Sequence, residues 1–170
     1  MTERKAFQDY YPDEVAHCYG CGRLNPYGHQ LKSYWDEDGE TAVAHFTPEP
    51  FHTAVPGYVY GGLIASLIDC HSTGTAAAAA YKAEGREMDT QPPLRFLTAS
   101  LKVDYLKPTP IKGTLTLRAH VHEIKGRKVV VHTSLFAGDL ECAKGEAVCV
   151  QVPEAFMQQI LRDAQSSEDA

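Results

Sequence analysis

Apolar positions along this chain change their spacing several times, and each change marks an element. Residues 30–35 and 41–46 are two short runs flanking Asp36-Glu-Asp-Gly39, an acidic turn ending in glycine, and predict a β-hairpin. A stretch rich in Pro and Gly, 47–57, interrupts regular structure. From Gly61 the alternation stops. Gly61-Gly-Leu-Ile-Ala-Ser-Leu-Ile-Asp-Cys-His-Ser-Thr-Gly-Thr, the alanines 76–80 and Tyr81 contain no Pro and are nearly all small or apolar. That run predicts a helix of roughly six turns, buried on most sides and wrapped by a sheet. After a polar loop, 82–93, four strands are expected. The first, 97–106, alternates through Leu97, Ala99, Leu101, Val103 and Tyr105. The second, 114–124, places Leu115, Leu117, Ala119 and Val121 on one face; tight turns at Lys125-Gly126 and Gly138-Asp139 lead into 128–136 and 141–152. Pro153 opens a short helix over about 153–163, and 166–170 reads as a frayed polar tail. Hairpin-length connections require antiparallel pairing, so the order β-β-α-β-β-β-β-α predicts an α+β domain with an antiparallel sheet around a long central helix.

Composition narrows the classes. At 170 residues one domain is expected over 1–170, with an extension of about 1–28 ahead of the first hairpin. Sixteen Lys+Arg against 22 Asp+Glu give a net charge of −6, with no basic stripe for tracking phosphates, so nucleic acid is not an expected partner. No apolar run approaches the ~18–20 residues that span a bilayer, and the opening MTERKAFQDYY lacks a signal-peptide core. Five scattered cysteines do not suggest a disulfide framework. A cytoplasmic protein that does not engage a membrane is the expectation.

Two features of the helix carry chemistry. An opening on Gly61-Gly62 exposes free N–H groups at the positive helix end and lets a substrate oxygen approach the main chain, the geometry of an oxyanion hole. The same dipeptide also suits a flexible turn with tight packing. Asp69 lies inside the apolar stretch between Ile68 and Cys70. A carboxylate there is costly to desolvate and has a raised pKa unless partnered; the alternative is a charge on the helix's wet face.

Local motifs sharpen the picture. Tyr60-Gly61-Gly62 followed by Leu-Ile-Ala-Ser-Leu-Ile-Asp69 resembles the His-Gly-Gly…Asp helix start of phenylacetate-pathway-type acyl-CoA thioesterases, which have the hotdog fold. Thr98-Ala-Ser-Leu-Lys-Val-Asp-Tyr-Leu-Lys-Pro108-Thr-Pro110 resembles the strand after the helix in that group. Cys18-Tyr-Gly-Cys-Gly22 with Asn25-Pro26-Tyr-Gly28 resembles an N-terminal element of some members. The three motifs, in order, cover the chain from about Cys18 to Val152. Tyr60 stands where the family usually has His, and His29 where it usually has Leu.

The resemblance implies hydrolysis of an acyl-CoA thioester. Asp69 would act as general base on water or as nucleophile, the Gly61 amide would hold the oxyanion, and Thr98 would supply a hydroxyl. Thr73, four residues beyond Asp69 on the same helix face, is a second candidate hydroxyl, unless it bonds its own helix carbonyls. Gly61 and Asp69 are eight positions apart, about 12 Å along one helix. One thioester carbonyl cannot meet both on the same helix, so an antiparallel second copy is expected, giving a homodimer with two equivalent sites and possible pairing into tetramers. Tyr60 and Gly62 would contribute backbone at the thioester. Coenzyme A phosphates would meet Lys125, Arg127 and Lys128, the densest cationic cluster, unless that turn is simply solvated, with Lys107 and Lys112 flanking Pro108-Thr109-Pro110 as a second basic region. The acyl pocket would be lined by the helix and the loop 51–58. No cofactor is expected beyond the coenzyme A of the substrate.

Cys18-x-x-Cys21 reads as a structural turn rather than a metal site, since no second Cys pair follows and only His17, His29 or His45 could complete a ligand set. Cys70, Cys142 and Cys149 read as buried small groups. Two other functions fit the same fold: a non-catalytic acyl-CoA-binding module, and a 3-hydroxyacyl thioester dehydratase using His45. The second is disfavoured because Asp69 follows His45 by 24 residues.

Overall fold

The computed structural model describes residues 4–168. Two 3-10 turns, Phe7–Tyr10 and Asp13–Val15, precede β1 (Ser33–Trp35), β2 (Ala42–Phe46), α1 (Gly61–Ala83), β3 (Phe96–Tyr105), β4 (Leu115–Lys125), β5 (Lys128–Ala137), β6 (Leu140–Gln151) and α2 (Glu154–Glu168). The six strands form one antiparallel sheet in the order β1-β2-β4-β5-β6-β3. The sheet curls around α1, which touches β3, β4, β5 and β6. This is the hotdog arrangement.

Burial explains why α1 is so apolar. Its first half packs Leu63, Leu67 and Ile68 against Leu115, Leu117 and Leu135. Its alanine run packs against Phe96, Val129, Val131 and Ala147. Small residues let the layers close up: a Cβ on Gly145 of β6 would lie 2.3 Å from Ile68 Cγ2. The N-terminal segment covers a flank of α1 that the sheet leaves open. There a Cβ on Gly74 would meet Gln8 Nε2 at 2.7 Å, and one on Gly20 would meet Cys70 Sγ at 2.3 Å.

Strand β3 departs from the simple alternation. Phe96 is buried and Thr98 half-buried, whereas Leu97 and Ala99 are exposed. The register with β6 shifts between Thr98 and Ser100, and beyond that bulge Leu101 and Val103 face the core. One extra residue reverses the parity of everything before it, so the face Leu97-Ala99-Leu101-Val103 does not exist as a unit. The terminal helix also runs further than 153–163. The carbonyl of Pro153 accepts the Met157 N–H at 2.9 Å, and Gln165 Nε2 donates to Glu14 Oε1 at 3.3 Å, carrying the helix through Glu168. Of the expected tail, 169–170 lies outside the described residues.

Candidate active site

The glycine end of α1 has no side-chain cap. Tyr60 is the N-cap, with φ −72° and ψ 144°, and its side chain makes no capping bond. Neither the Gly61 nor the Gly62 N–H has a protein acceptor among the described residues. The ring of Tyr60 packs over Gly62, where a Cβ would come within 2.5 Å of it. Tyr105 at the end of β3 donates its hydroxyl to the Gly61 carbonyl at 2.8 Å, and its ring would stand 3.3 Å from a Cβ on Gly61. Glycine therefore keeps a slot open between the helix start and a phenol.

Asp69 belongs to a stripe of half-buried positions, with Ala65, Ser66 and Thr73, on an otherwise buried helix. The Thr98 hydroxyl donates to Asp69 Oδ1, and no protein donor reaches Oδ2 among the described residues. The β3 bulge turns Thr98 towards the helix and so makes this bond possible. Asp69 is neither an exposed surface charge nor isolated. Cys149, the β6 partner of Thr98, has its thiol pushed up to about 12 by burial and by the nearby Asp69 charge. Thr73 is not brought to the carboxylate: its hydroxyl donates to the Asp69 and Cys70 carbonyls, both at 3.2 Å. That is the helix back-bond, the competing reading for this residue.

The remaining positions fall into two groups. Tyr58 bridges to Pro110, Val59 N–H donates to the Thr109 carbonyl at 2.9 Å, and Ile111 N–H to the Gly57 carbonyl at 3.0 Å. The loop 51–58 and the Pro108–Pro110 segment are thus fastened together just before Gly61. Pro108 is exposed, but Thr109 is only 2% exposed, its carbonyl taken up by the Val59 N–H. The basic turn lies at the other end of β3. Lys128 pairs with Val150, which pairs with Leu97, placing the turn about two strand spacings, ~10 Å, from the residue beside Thr98. Lys128 bonds Glu123 at 2.7 Å and Arg127 Nη1 reaches the Gln151 carbonyl at 3.5 Å. His45, the dehydratase candidate, stays exposed on β2 beside Thr116.

A helix opening on free glycine amides, and a carboxylate two turns on held by a bulge-borne hydroxyl, can be compared with known proteins. The thioesterase superfamily model matches residues 56–144, which include Gly61, Asp69 and Thr98. The chain belongs to the thioesterase superfamily. It is 48% identical to a thioesterase superfamily protein from Shewanella loihica, covering 84% of this chain and all of that one, with a TM-score of 0.63. It is 34% identical over 112 residues to the rat acyl-coenzyme A thioesterase THEM4, covering 66% of this chain and 43% of that protein. The Xenopus laevis THEM4 is 28% identical over 123 residues, covering 72% of this chain. The chain spans about half the length of the curated relatives it matches. The Escherichia coli PaaI protein shares the fold at 17% identity, covering 66% of this chain and 73% of that one, with a TM-score of 0.55. No helix among the described residues is long and apolar enough to cross a membrane.

Two features of this superfamily member were invisible in the linear pattern. Cys70 comes next to the Cys18/Cys21 turn, with the three sulfurs within 4.8 Å of one another and Cys18 Sγ 3.9 Å from Cys70 Sγ. Hydrogen bonds from Cys21 and Cys70, then from the Cys21 and Gly20 N–H groups, hold Cys18 far below an ordinary thiol. The Cys18 interaction in turn pushes Cys21 up to about 12 and raises Cys70 as well. The second feature is His71, fully buried. The Ser33 hydroxyl lies 2.8 Å from its Nδ1, and the Ala42 carbonyl 3.1 Å from its Nε2. Gln8 completes the chain, donating from Nε2 to Ser33 Oγ at 3.2 Å and accepting the Ser33 N–H at 2.8 Å. With Ser33 donating to Nδ1 and Nε2–H donating to Ala42, every polar group of this network is satisfied by a neutral imidazole.

Proposed function

We propose that the protein hydrolyses an acyl-CoA thioester to the carboxylic acid and free coenzyme A, at sites each built from two chains. The observation that carries this reading is the Asp69–Thr98 bond on a half-buried helix face. With Oδ1 held by Thr98, Oδ2 is left to take a proton from water. The water oxygen adds to the thioester carbon, and a glycine amide at the start of α1 stabilises the resulting oxyanion. Collapse expels the coenzyme A sulfur, which takes up the proton held by Asp69.

The amide cannot come from the same chain. Within one protomer Tyr105 marks the Gly61 end of β3, and Thr98 marks the Asp69 end. Strand β3 is an outer strand of the sheet, ten residues long, with Leu97 53% and Tyr105 54% exposed. An unpaired edge of this kind favours joining another strand. Two β3 edges pairing antiparallel about a two-fold axis would set each Thr98 against the partner's Tyr105 end, and hence Asp69 opposite the partner subunit's Gly61. The same operation would put the basic turn 125–128 of one chain and Lys107 and Pro108 of the other at the same end of the joined sheets, about three strand spacings or ~14 Å apart, giving cationic positions for the coenzyme A phosphates from both chains.

The test is steady-state release of free thiol across a panel of acyl-CoA esters. Wild type turns over at least one class, and Asp69→Asn lowers kcat about 10²–10⁴-fold with little change in binding. An acyl-CoA-binding module would instead bind without turnover in either form.

A further inference from the structure

The most concentrated chemistry outside the proposed catalytic groups is the meeting of Cys18, Cys21 and Cys70. Three sulfurs from two separate segments converge, one from α1 and two from the turn lying on it. The turn is built for close approach. A Cβ on Gly20 would overlap Cys70 Sγ at 2.3 Å, and one on Gly22 would lie 2.4 Å from the Cys18 nitrogen and 2.6 Å from the Ala16 and Cys18 carbonyl oxygens. Gly22 N–H donates to the Cys18 carbonyl at 2.7 Å, closing a tight loop. Asn25 braces the loop from outside: Nδ2 donates to the His17 carbonyl at 3.1 Å, and Oδ1 accepts the Tyr27 N–H at 3.0 Å.

We infer that Cys18, Cys21 and Cys70 form a thiolate site for a zinc ion, which fastens the N-terminal segment to α1 one residue from Asp69. Around tetrahedral zinc with Zn–S bonds of about 2.3 Å, neighbouring sulfurs stand about 3.8 Å apart. The 3.9 Å between Cys18 and Cys70 already meets that spacing, and the 4.8 Å limit on all three sulfurs leaves only a small contraction. A disulfide would join two of the sulfurs and strand the third, whereas one metal uses all of them. Cys18 is half-exposed, so an ion can enter and an outside ligand can take the fourth position. Zinc binding releases the thiol protons and adds its own binding free energy to the attachment of the N-terminal segment.

The experiment uses the full chain, expressed with zinc and purified anaerobically under reducing, chelator-free conditions. About one equivalent of zinc per chain is expected, released by a mercurial reagent. Cobalt put in its place gives thiolate-to-cobalt charge-transfer bands and the ligand-field bands of a tetrahedral site. Cys18→Ser, Cys21→Ser and Cys70→Ser each lose the metal, while Cys142→Ser and Cys149→Ser keep it. Folded, fully reduced wild type that binds neither zinc nor cobalt overturns the inference. So does metal retained at full occupancy in Cys70→Ser, or a disulfide among these three residues in the reduced preparation. None of these readouts depends on thioester turnover, so the metal site and the catalytic reading stand or fall separately.

Discussion

Asp69 depends on Thr98 for its orientation, and Thr98 depends on one extra residue in β3. The hydroxyl-to-carboxylate bond is charge-assisted, and such bonds contribute about 1.5–3 kcal/mol. Thr98→Val is therefore expected to lower kcat roughly tenfold to a hundredfold, with Thr98→Ser recovering most of it and both variants keeping the wild-type fold by circular dichroism. His71 makes a prediction of a different kind. Burial holds its pKa at about 4, against 6.5 in the unfolded chain. As pH falls below 6.5 the unfolded state takes up a proton that the folded state refuses. Stability is therefore full above pH 6.5 and declines as pH drops towards 4, by about 3 kcal/mol from this residue. Urea unfolding at successive pH values tests this, and His71→Gln should flatten the slope between pH 6.5 and 4. Sequence pattern could not reveal this role, since His71 looks like any mid-helix polar residue until Gln8 and Ser33 arrive from segments far away in the chain.

At the scale of elements, α1 was legible because its composition is extreme: a helix with no charge in its first eight positions has to be covered. The β4 face of Leu115, Leu117 and Ala119 was legible for the same reason, since all three are buried. Strand β3 was not, because a bulge leaves no mark on apolar alternation and here reverses the face of Leu97 and Thr98. The cysteine cluster was hidden by distance, as Cys18 and Cys70 are 52 positions apart. The approach of α1 to β6 is the tightest test of the core. Gly145→Ala places a methyl group 2.3 Å from Ile68 Cγ2, and overpacking of this kind costs about 1–3 kcal/mol. Thermal unfolding of that variant should show a clear drop in Tm, while Gly39→Ala, with nothing within 4 Å of its Cβ but a φ of +68°, reports strain alone.

At the scale of the molecule, the claim is that the catalytic unit is a pair of chains joined along β3. Gly61 is the first residue of α1 after an extended N-cap, so proline suits the backbone there and removes the amide hydrogen, and Gly61→Ala, which brings the same Cβ to 3.3 Å from the Tyr105 ring but keeps the hydrogen, is its control. Gly61→Pro and Asp69→Asn should each be nearly inactive as homodimers. The direct test is a heterodimer of the two, isolated by two affinity tags, in which one site combines an intact Asp69 with the partner subunit's intact Gly61. The account predicts that it regains about half the wild-type kcat per dimer, because one of its two sites is whole. A heterodimer as inactive as its parents, or a fully active single chain, contradicts the account.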